Sequence, residues 1–299
     1  MINCVKKGGI IASVIIASGL FVHAVSDDKA ANTVATAKEH YFPNEIDFAG
    51  EVAPLNIADV RERFDRELLV NANLDATTLI IIKRANRVFP VIEPILQKYG
   101  VPDDFKYLAV IESGLVNAVS SAGARGIWQF MPATGKEYGM EINDVVDERY
   151  DLVKSTEAAC KYLVKAKEKF GSWTLAAASY NGGVAGVNNQ IIFQGVQNYY
   201  DLLLTEETSR YVFRILALKE IMKNPQQYGF NVLESEKYPL IPTKTVEVTT
   251  AIPDLAVFAK EQGINYKILK IHNPWLRDRK LTNASGKKYT IEIPLKGYN

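Results

Sequence analysis

The sequence predicts a mainly α-helical chain that closes with a small α+β module in the order strand, helix, helix, strand. Three observations carry that expectation. From about residue 58 to residue 225, apolar residues recur at three- and four-residue spacing, segment after segment, without strand-like alternation. Beyond Pro242 the texture changes, because Thr245-Val246-Glu247-Val248 and Tyr289-Thr290-Ile291-Glu292-Ile293 alternate as half-buried strands do. With 299 residues, 47% of them hydrophobic, the chain is long enough for two domains.

At the N-terminus, Lys6 and Lys7 precede an apolar run from Ile10 to Val22 that ends in Val22-His23-Ala24. This reads as a signal peptide over residues 1–24. The run falls short of the ~20 apolar residues of a comfortable membrane span. Cleavage after Ala24 and retention as a membrane anchor both fit the pattern. Residues 25–57, rich in Ala, Asn, Asp and Thr, read as a linker into a helical domain over 58–240.

Asp59 and Glu62 have the spacing of a capping box, and Val60, Phe64 and Leu68 share one face of the helix it would start. A second helix is expected over 75–97 on the stripe Ile82, Ala85, Phe89, Ile92 and Leu96, kinked or divided at Pro90 and Pro94. A third begins near Val101-Pro102-Asp103, sends Phe105, Leu108 and Ile111 to the core, and stops at Gly114. Further helical patterns cover 126–138, 155–170, 173–181 and 207–223. After a boundary at Tyr238–Pro242, the module at 243–296 holds two short helical patterns, one with Leu255, Phe258 and Ala259, the other with Ile268, Leu269 and Ile271.

The formal net charge of +1, with no long Lys/Arg block and no zinc-type Cys/His spacing, argues against nucleic acid as a partner, and the expected chemistry works without metal or cofactor. Removal of the signal would leave Cys160 as the sole cysteine, so no intramolecular disulfide forms. Cys160 lies on the stripe Ala159, Leu163, Ala166 and Phe170 and reads as a structural thiol. His272 reads as a packed or capping residue.

Glu112 is the candidate for chemistry. It falls in the last turn of the third helix, beside a loop from Gly114 to Gly123 and the glycine-punctuated run Gly126-Ile127-Trp128-Gln129-Phe130-Met131-Pro132. Cleaving a glycosidic bond requires a proton on the leaving oxygen, and burial among apolar groups keeps a carboxylic acid protonated near neutral pH. Two later segments supply polar company. Ser179-Tyr180-Asn181-Gly182-Gly183 is also readable as a helix C-cap, and Glu207 and Tyr211 share a helical face by their four-residue spacing. No second acid pairs obviously with Glu112; Asp144, Asp147, Glu148 and Asp151 read as a solvated loop and helix start.

Taken in order, Glu112-Ser113-Gly114, the run Ser121 to Thr134, Ser179 to Gly183 and Glu207 to Val212 resemble the soluble-lytic-transglycosylase domain of glycoside hydrolase family 23 over about residues 100–225. The resemblance implies a lysozyme-like helical domain that cuts the β-1,4 bond between N-acetylmuramic acid and N-acetylglucosamine in peptidoglycan, leaving 1,6-anhydromuramic ends. It makes Glu112 the single acid and base, Ser121 and Gln129 partners of the sugar, Met131 a cleft-lining residue, and Tyr180, Asn181 and Tyr211 the wall at the scissile bond. Glu207 is expected to shape the cleft. Ser179 stands where many relatives carry alanine. The C-terminal module resembles a diverged LysM domain, a family that binds N-acetylglucosamine-containing glycans, with Ala251-Ile252-Pro253-Asp254-Leu255 replacing the usual Gly-Asp-Thr-Leu entry. The expected partner is therefore peptidoglycan glycan strands, met in the periplasm or cell envelope.

Overall fold

A computed structural model describes residues 41–295. The expected signal peptide at 1–24 lies outside the described residues, as does the linker up to residue 40. In chain order the elements are β1 (Asp47–Phe48), β2 (Glu51–Val52), α1 (Ala58–Ala72), α2 (Asp75–Lys98), α3 (Lys106–Ser113), β3 (Ala118–Val119) and β4 (Arg125–Gly126). They continue with α4 (Pro132–Glu137), α5 (Leu152–Phe170), α6 (Trp173–Gly182), α7 (Val184–Gln194), α8 (Glu206–Lys223), β5 (Thr243–Val248), α9 (Leu255–Glu261), α10 (Tyr266–His272) and β6 (Tyr289–Pro294). The chain is mainly helical, and β5 pairs antiparallel with β6 from Thr243 opposite Pro294 to Val248 opposite Tyr289. Among the described residues, no helix is long and apolar enough to cross a membrane.

The helical domain is organised on α8, which packs against α1, α3 and α6. Val212, Phe213, Ile215, Leu216, Ala217 and Ile221 are fully buried, as the apolar residues of a helix surrounded by others must be. The charge of buried Lys219 is met by Asp104 at 2.6 Å and Asp47 at 3.3 Å. The stripes expected of α1 and α5 are the ones buried, Val60, Phe64 and Leu68 on the first and Ala159, Leu163, Ala166 and Phe170 on the second. Cys160 is buried among them, and burial pushes its thiol up to about 12, which suits a structural role.

Several expectations are corrected. The part of the linker at 46–55 is folded: Ile46, Phe48, Ala53 and Leu55 join the core, and β1 and β2 form a tight hairpin through Ala49 and Gly50, both at positive φ. The hairpin has a task, because the Glu51 carboxylate accepts the backbone N–H groups of Trp173 and Thr174 at 2.6 and 2.9 Å and the Ser172 hydroxyl at 2.7 Å. It caps the start of α6, where unpaired N–H groups and the positive helix end favour an anion. Burial alone would raise the Glu51 carboxyl; these hydrogen bonds and that of the Thr174 hydroxyl outweigh it and hold it below its usual range.

α1 starts at Ala58 without a side-chain cap; Asp59 lies inside the first turn and pairs with Arg63 at 3.1 Å, so no capping box forms. α2 runs unbroken through Pro90 and Pro94. Burial of Val88, Ile92 and Leu96, each under a tenth exposed, offsets the ~3 kcal/mol that a proline costs inside a helix. The helix expected over 126–138 is reduced to α4. In its place Gly126 and Gln129 take positive φ, and Arg125 and Phe130 exchange backbone hydrogen bonds. Asp147 and Glu148, expected in a solvated loop, are 2% and 6% exposed; Asp151 does cap the start of α5 through Lys154 N–H at 2.9 Å.

Gly126 is fixed by contact as well as by φ, since a Cβ there would lie 1.9 Å from the carbonyl oxygen of Arg149. Gly139 has a similar φ of +89° but open space around it. Gly126→Ala is therefore expected to lose about 3 kcal/mol, against about 1 kcal/mol for Gly139→Ala. Thermal denaturation of the two variants checks this, and equal melting temperatures would refute the contact argument.

Candidate active site

α3 ends where Gly114 takes the left-handed conformation at φ 59°, and the Gly114 carbonyl accepts Arg84 Nη1 at 3.1 Å. Glu112 is thereby set in a last helical turn whose partial negative charge disfavours a further anion. Its side chain is half-buried. The Tyr211 hydroxyl donates to Glu112 Oε1 across the α3–α8 contact, and Arg214, one turn further along α8, donates Nη2 to the Ile111 carbonyl at 3.1 Å. Burial pushes the Glu112 carboxyl up to about 7, against the opposing pull of the Tyr211 hydrogen bond and the Arg214 charge, with the charge of Glu207 adding to the rise. Glu112 thus holds a proton near neutrality and releases it within reach of the same range.

The facing wall comes from β4 and the turn after it. Trp128 is fully buried and donates Nε1–H to Thr156 Oγ1 at 2.8 Å, while its backbone carbonyl accepts the Tyr180 hydroxyl at 2.8 Å. Gln129 sits at φ 50°, which a non-glycine residue adopts at a cost of order 1–3 kcal/mol. Its amide holds the turn: Nε2 donates to the carbonyls of Gly126 at 2.7 Å and Ala118 at 3.1 Å. Those bonds satisfy the amide nitrogen.

α6 supplies Tyr180, whose ring meets Phe130 and Tyr162 edge-on at centroid distances of 5.9 and 5.1 Å. Burial first, then the neighbouring Glu112 charge, pushes the Tyr180 phenol far above its usual range, so it acts as a neutral hydrogen-bonding group. Asn181 links α6 to α8, with Nδ2 donating to Glu207 at 3.0 Å and Oδ1 accepting the Thr208 hydroxyl at 2.8 Å. Ser179 is fully buried, and its hydroxyl is satisfied by the Ala176 carbonyl at 2.8 Å, so serine replaces alanine here without an orphaned polar group.

A cavity of about 490 Å³ opens beside this wall, lined by Gln129, Phe130, Met131, Tyr138, Tyr180 and Asn181 among others. Four of the residues expected at the site, Gln129, Met131, Tyr180 and Asn181, share that lining. Glu112 and Tyr211 are not part of it; they form a hydrogen-bonded pair beyond Tyr180. Ser121 stands apart, exposed in the turn between β3 and β4. Sequence reading missed Arg214, although its three-residue spacing from Tyr211 was a usable signal, and it missed Arg149. That side chain is 3% exposed; it grips Asp147 through Nε and Nη2 at 2.9 and 2.7 Å and donates Nη1 to the carbonyls of Gly123 and Phe130.

Residues 90–202 match the family described as Transglycosylase SLT domain, and residues 244–297 match the Soluble lytic transglycosylase C-terminal LysM-like domain. Over 258 residues the chain is 30% identical to the membrane-bound lytic murein transglycosylase D of Escherichia coli K12 and to that of Escherichia coli O6:H1, an alignment that takes in 83% of this chain and 55% of each relative. The chain spans about half the length of these curated relatives. The half-buried glutamic acid, the wall joined to it through Tyr180 and the strand-helix-helix-strand module thus fall within a chain that carries a transglycosylase SLT domain followed by a C-terminal LysM-like domain.

Proposed function

We propose that this protein is a peptidoglycan lytic transglycosylase of the cell envelope, cleaving the β-1,4 bond between N-acetylmuramic acid and N-acetylglucosamine. The observation that carries the reading is a solitary carboxylic acid whose proton affinity lies near 7. Ordinary glycosidases pair an acid with a second carboxylate that serves as nucleophile or base. Here the other carboxylate whose charge acts on Glu112 is Glu207, and it is exposed and engaged by Asn181. One carboxyl suffices if the substrate provides its own nucleophile.

In that reaction Glu112 donates its proton to the leaving glycosidic oxygen as the bond to the anomeric carbon breaks. Its carboxylate then takes the proton of the muramic C6 hydroxyl while that oxygen bonds to the anomeric carbon, closing a 1,6-anhydro ring. The proton given is regained and no water is consumed. Tyr211 steadies the carboxylate between the two transfers. Gln129, Met131, Tyr180 and Asn181 line the path of the saccharide, while Ser121, exposed in the β3–β4 turn, stands outside that lining. The murein named in the relatives' description supports this substrate, and export through the N-terminal segment accounts for reaching it.

Mass spectrometry of products released from purified sacculi tests the chemistry: anhydromuramic ends are expected, each lighter by one water than a reducing end, and exclusively reducing ends would make the protein a hydrolase. Glu112→Gln, close in shape but unable to donate the proton, is expected to cut murein about a hundredfold to ten-thousandfold more slowly.

The proton must be on Glu112 for the first step, so activity is expected to be sustained below pH 7 and to fall as pH rises through about 7. Tyr211→Phe removes a donor that favours the charged form, which raises the carboxyl further and moves the descending limb to higher pH. A limb that stays in place, or moves to lower pH, would contradict the role given to the Tyr211 hydroxyl.

A further inference from the structure

The segment between α4 and α5 belongs to two structures at once. Val146 is 1% exposed and lies in the apolar cluster of the C-terminal module with Leu255, Leu269, Leu276 and Ile291. Backbone bonds close the joint, Asp147 N–H to the Trp275 carbonyl at 2.9 Å and Arg277 N–H to the Val145 carbonyl at 2.8 Å. Lys287 places Nζ at 2.6 Å from Glu141 and 3.0 Å from Glu148, the Tyr289 hydroxyl donates to Glu141, and the Arg277 guanidinium lies 4.2 Å from the centre of the Tyr150 ring. Burial alone would raise the Glu141 carboxyl; the hydrogen bonds from Lys287, Tyr289 and Asn143 outweigh it and hold it below its usual range.

From the joint the contacts lead inward. Asp147 holds Arg149, and Arg149 Nη1 reaches the carbonyls of Gly123 and Phe130, both at 3.2 Å. The backbone carbonyl of Arg149 rests where any side chain on Gly126 would go. These are the supports of the turn that carries Gln129 at its strained φ. The loops of the module are meanwhile engaged with each other, since Ile252 and Leu281 exchange two backbone hydrogen bonds at 2.9 Å and Leu255 N–H donates to the Arg279 carbonyl at 2.9 Å.

We propose that the LysM-like module is a buttress of the catalytic wall, with Asp147 and Arg149 as the positioning residues that carry its hold to Gln129 and Phe130. Its effect on turnover rests on the transglycosylase reading; its effect on the wall does not. A module tethered only for targeting adds affinity for the polymer and nothing to the cutting of glycans too short to reach it. A buttress is needed for both.

The test uses the full chain with Lys287→Glu, which sets a third carboxylate against Glu141 and Glu148 without substituting any residue of the wall or Glu112, and with Arg277→Ala as a milder variant. For Lys287→Glu, kcat on a short soluble glycan is expected to fall about tenfold or more with KM little changed, the signature of a misplaced wall. Amide exchange across 123–131 is expected to accelerate while α8 keeps its protection. Arg277→Ala should change both in the same direction by less. Adding Glu141→Lys to Lys287→Glu restores opposite charges and should recover both readouts. Unchanged turnover of the short glycan, with loss only of binding to insoluble sacculi, would overturn the buttress in favour of a targeting module. If the wild-type protein cuts no glycan, the transglycosylase reading fails, and exchange still decides the buttress: protection across 123–131 that is identical in wild type and both variants would overturn it.

Discussion

The buried pair of Asp147 and Arg149 is the constraint on which the active-site wall depends. Removing both ions from water costs several kcal/mol each, and their attraction compensates only when the remaining hydrogen-bonding capacity is also met. Here it is met by the wall itself. Arg149 spends Nε and Nη2 on the carboxylate and Nη1 on two backbone carbonyls, while Asp147 also accepts Arg149 N–H and lies 3.5 Å from Arg125. The pair and the turn therefore stabilise each other: loss of either would leave buried polar groups unsatisfied. This reciprocity is what allows Gln129 to persist in a backbone conformation that its side chain disfavours.

Glu112 obeys a different balance. Burial and the charge of Glu207 raise its proton affinity, and Tyr211 and Arg214 lower it. Without the second pair of influences the carboxyl would hold its proton more tightly and be a weaker acid toward the leaving oxygen; without the first it would be ionised at neutral pH and have no proton to give. A single group asked to give and then recover a proton needs both, and α3 and α8 supply them from opposite sides. The same contact caps α3, because Arg214 binds the Ile111 carbonyl, so the electrostatics of the acid and the integrity of its helix are set together.

Much of this was legible in the sequence. The stripes of α1 and α5, the helical pattern of α8, the stop at Gly114 and the βααβ order of the last module follow from local periodicity and turn chemistry, which a single segment reveals. What escaped depends on partners distant in the chain. Glu51 looked like part of a polar linker because the helix start it caps begins at Trp173. Asp147 and Glu148 looked solvated because their burial rests on the last module, through the Trp275 carbonyl that accepts Asp147 N–H and through Lys287 beside Glu148. The turn at 126–131 looked helical because the positive φ of Gln129 is imposed by tertiary contacts against its own preference. α7 was missed because Gly186, Asn188 and Asn189 dilute its pattern.

The two halves of the site are supported independently. Glu112 is set by α3 and α8, with Arg84 and Arg214 fixing the end of its helix, whereas the wall is set by α5 through Thr156 and by the joint at Asp147 and Arg149. α6 connects them, with the Tyr180 hydroxyl on the Trp128 carbonyl and Asn181 on Glu207 and Thr208 of α8. Proton affinity and substrate placement are thus separable properties of this site. Changes at Tyr211 or Arg214 act on the first with the wall in place, and changes around Arg149 act on the second with the acid still poised near 7. Tyr180, which touches the wall and feels the charge of the acid, is the residue through which the two are kept in register.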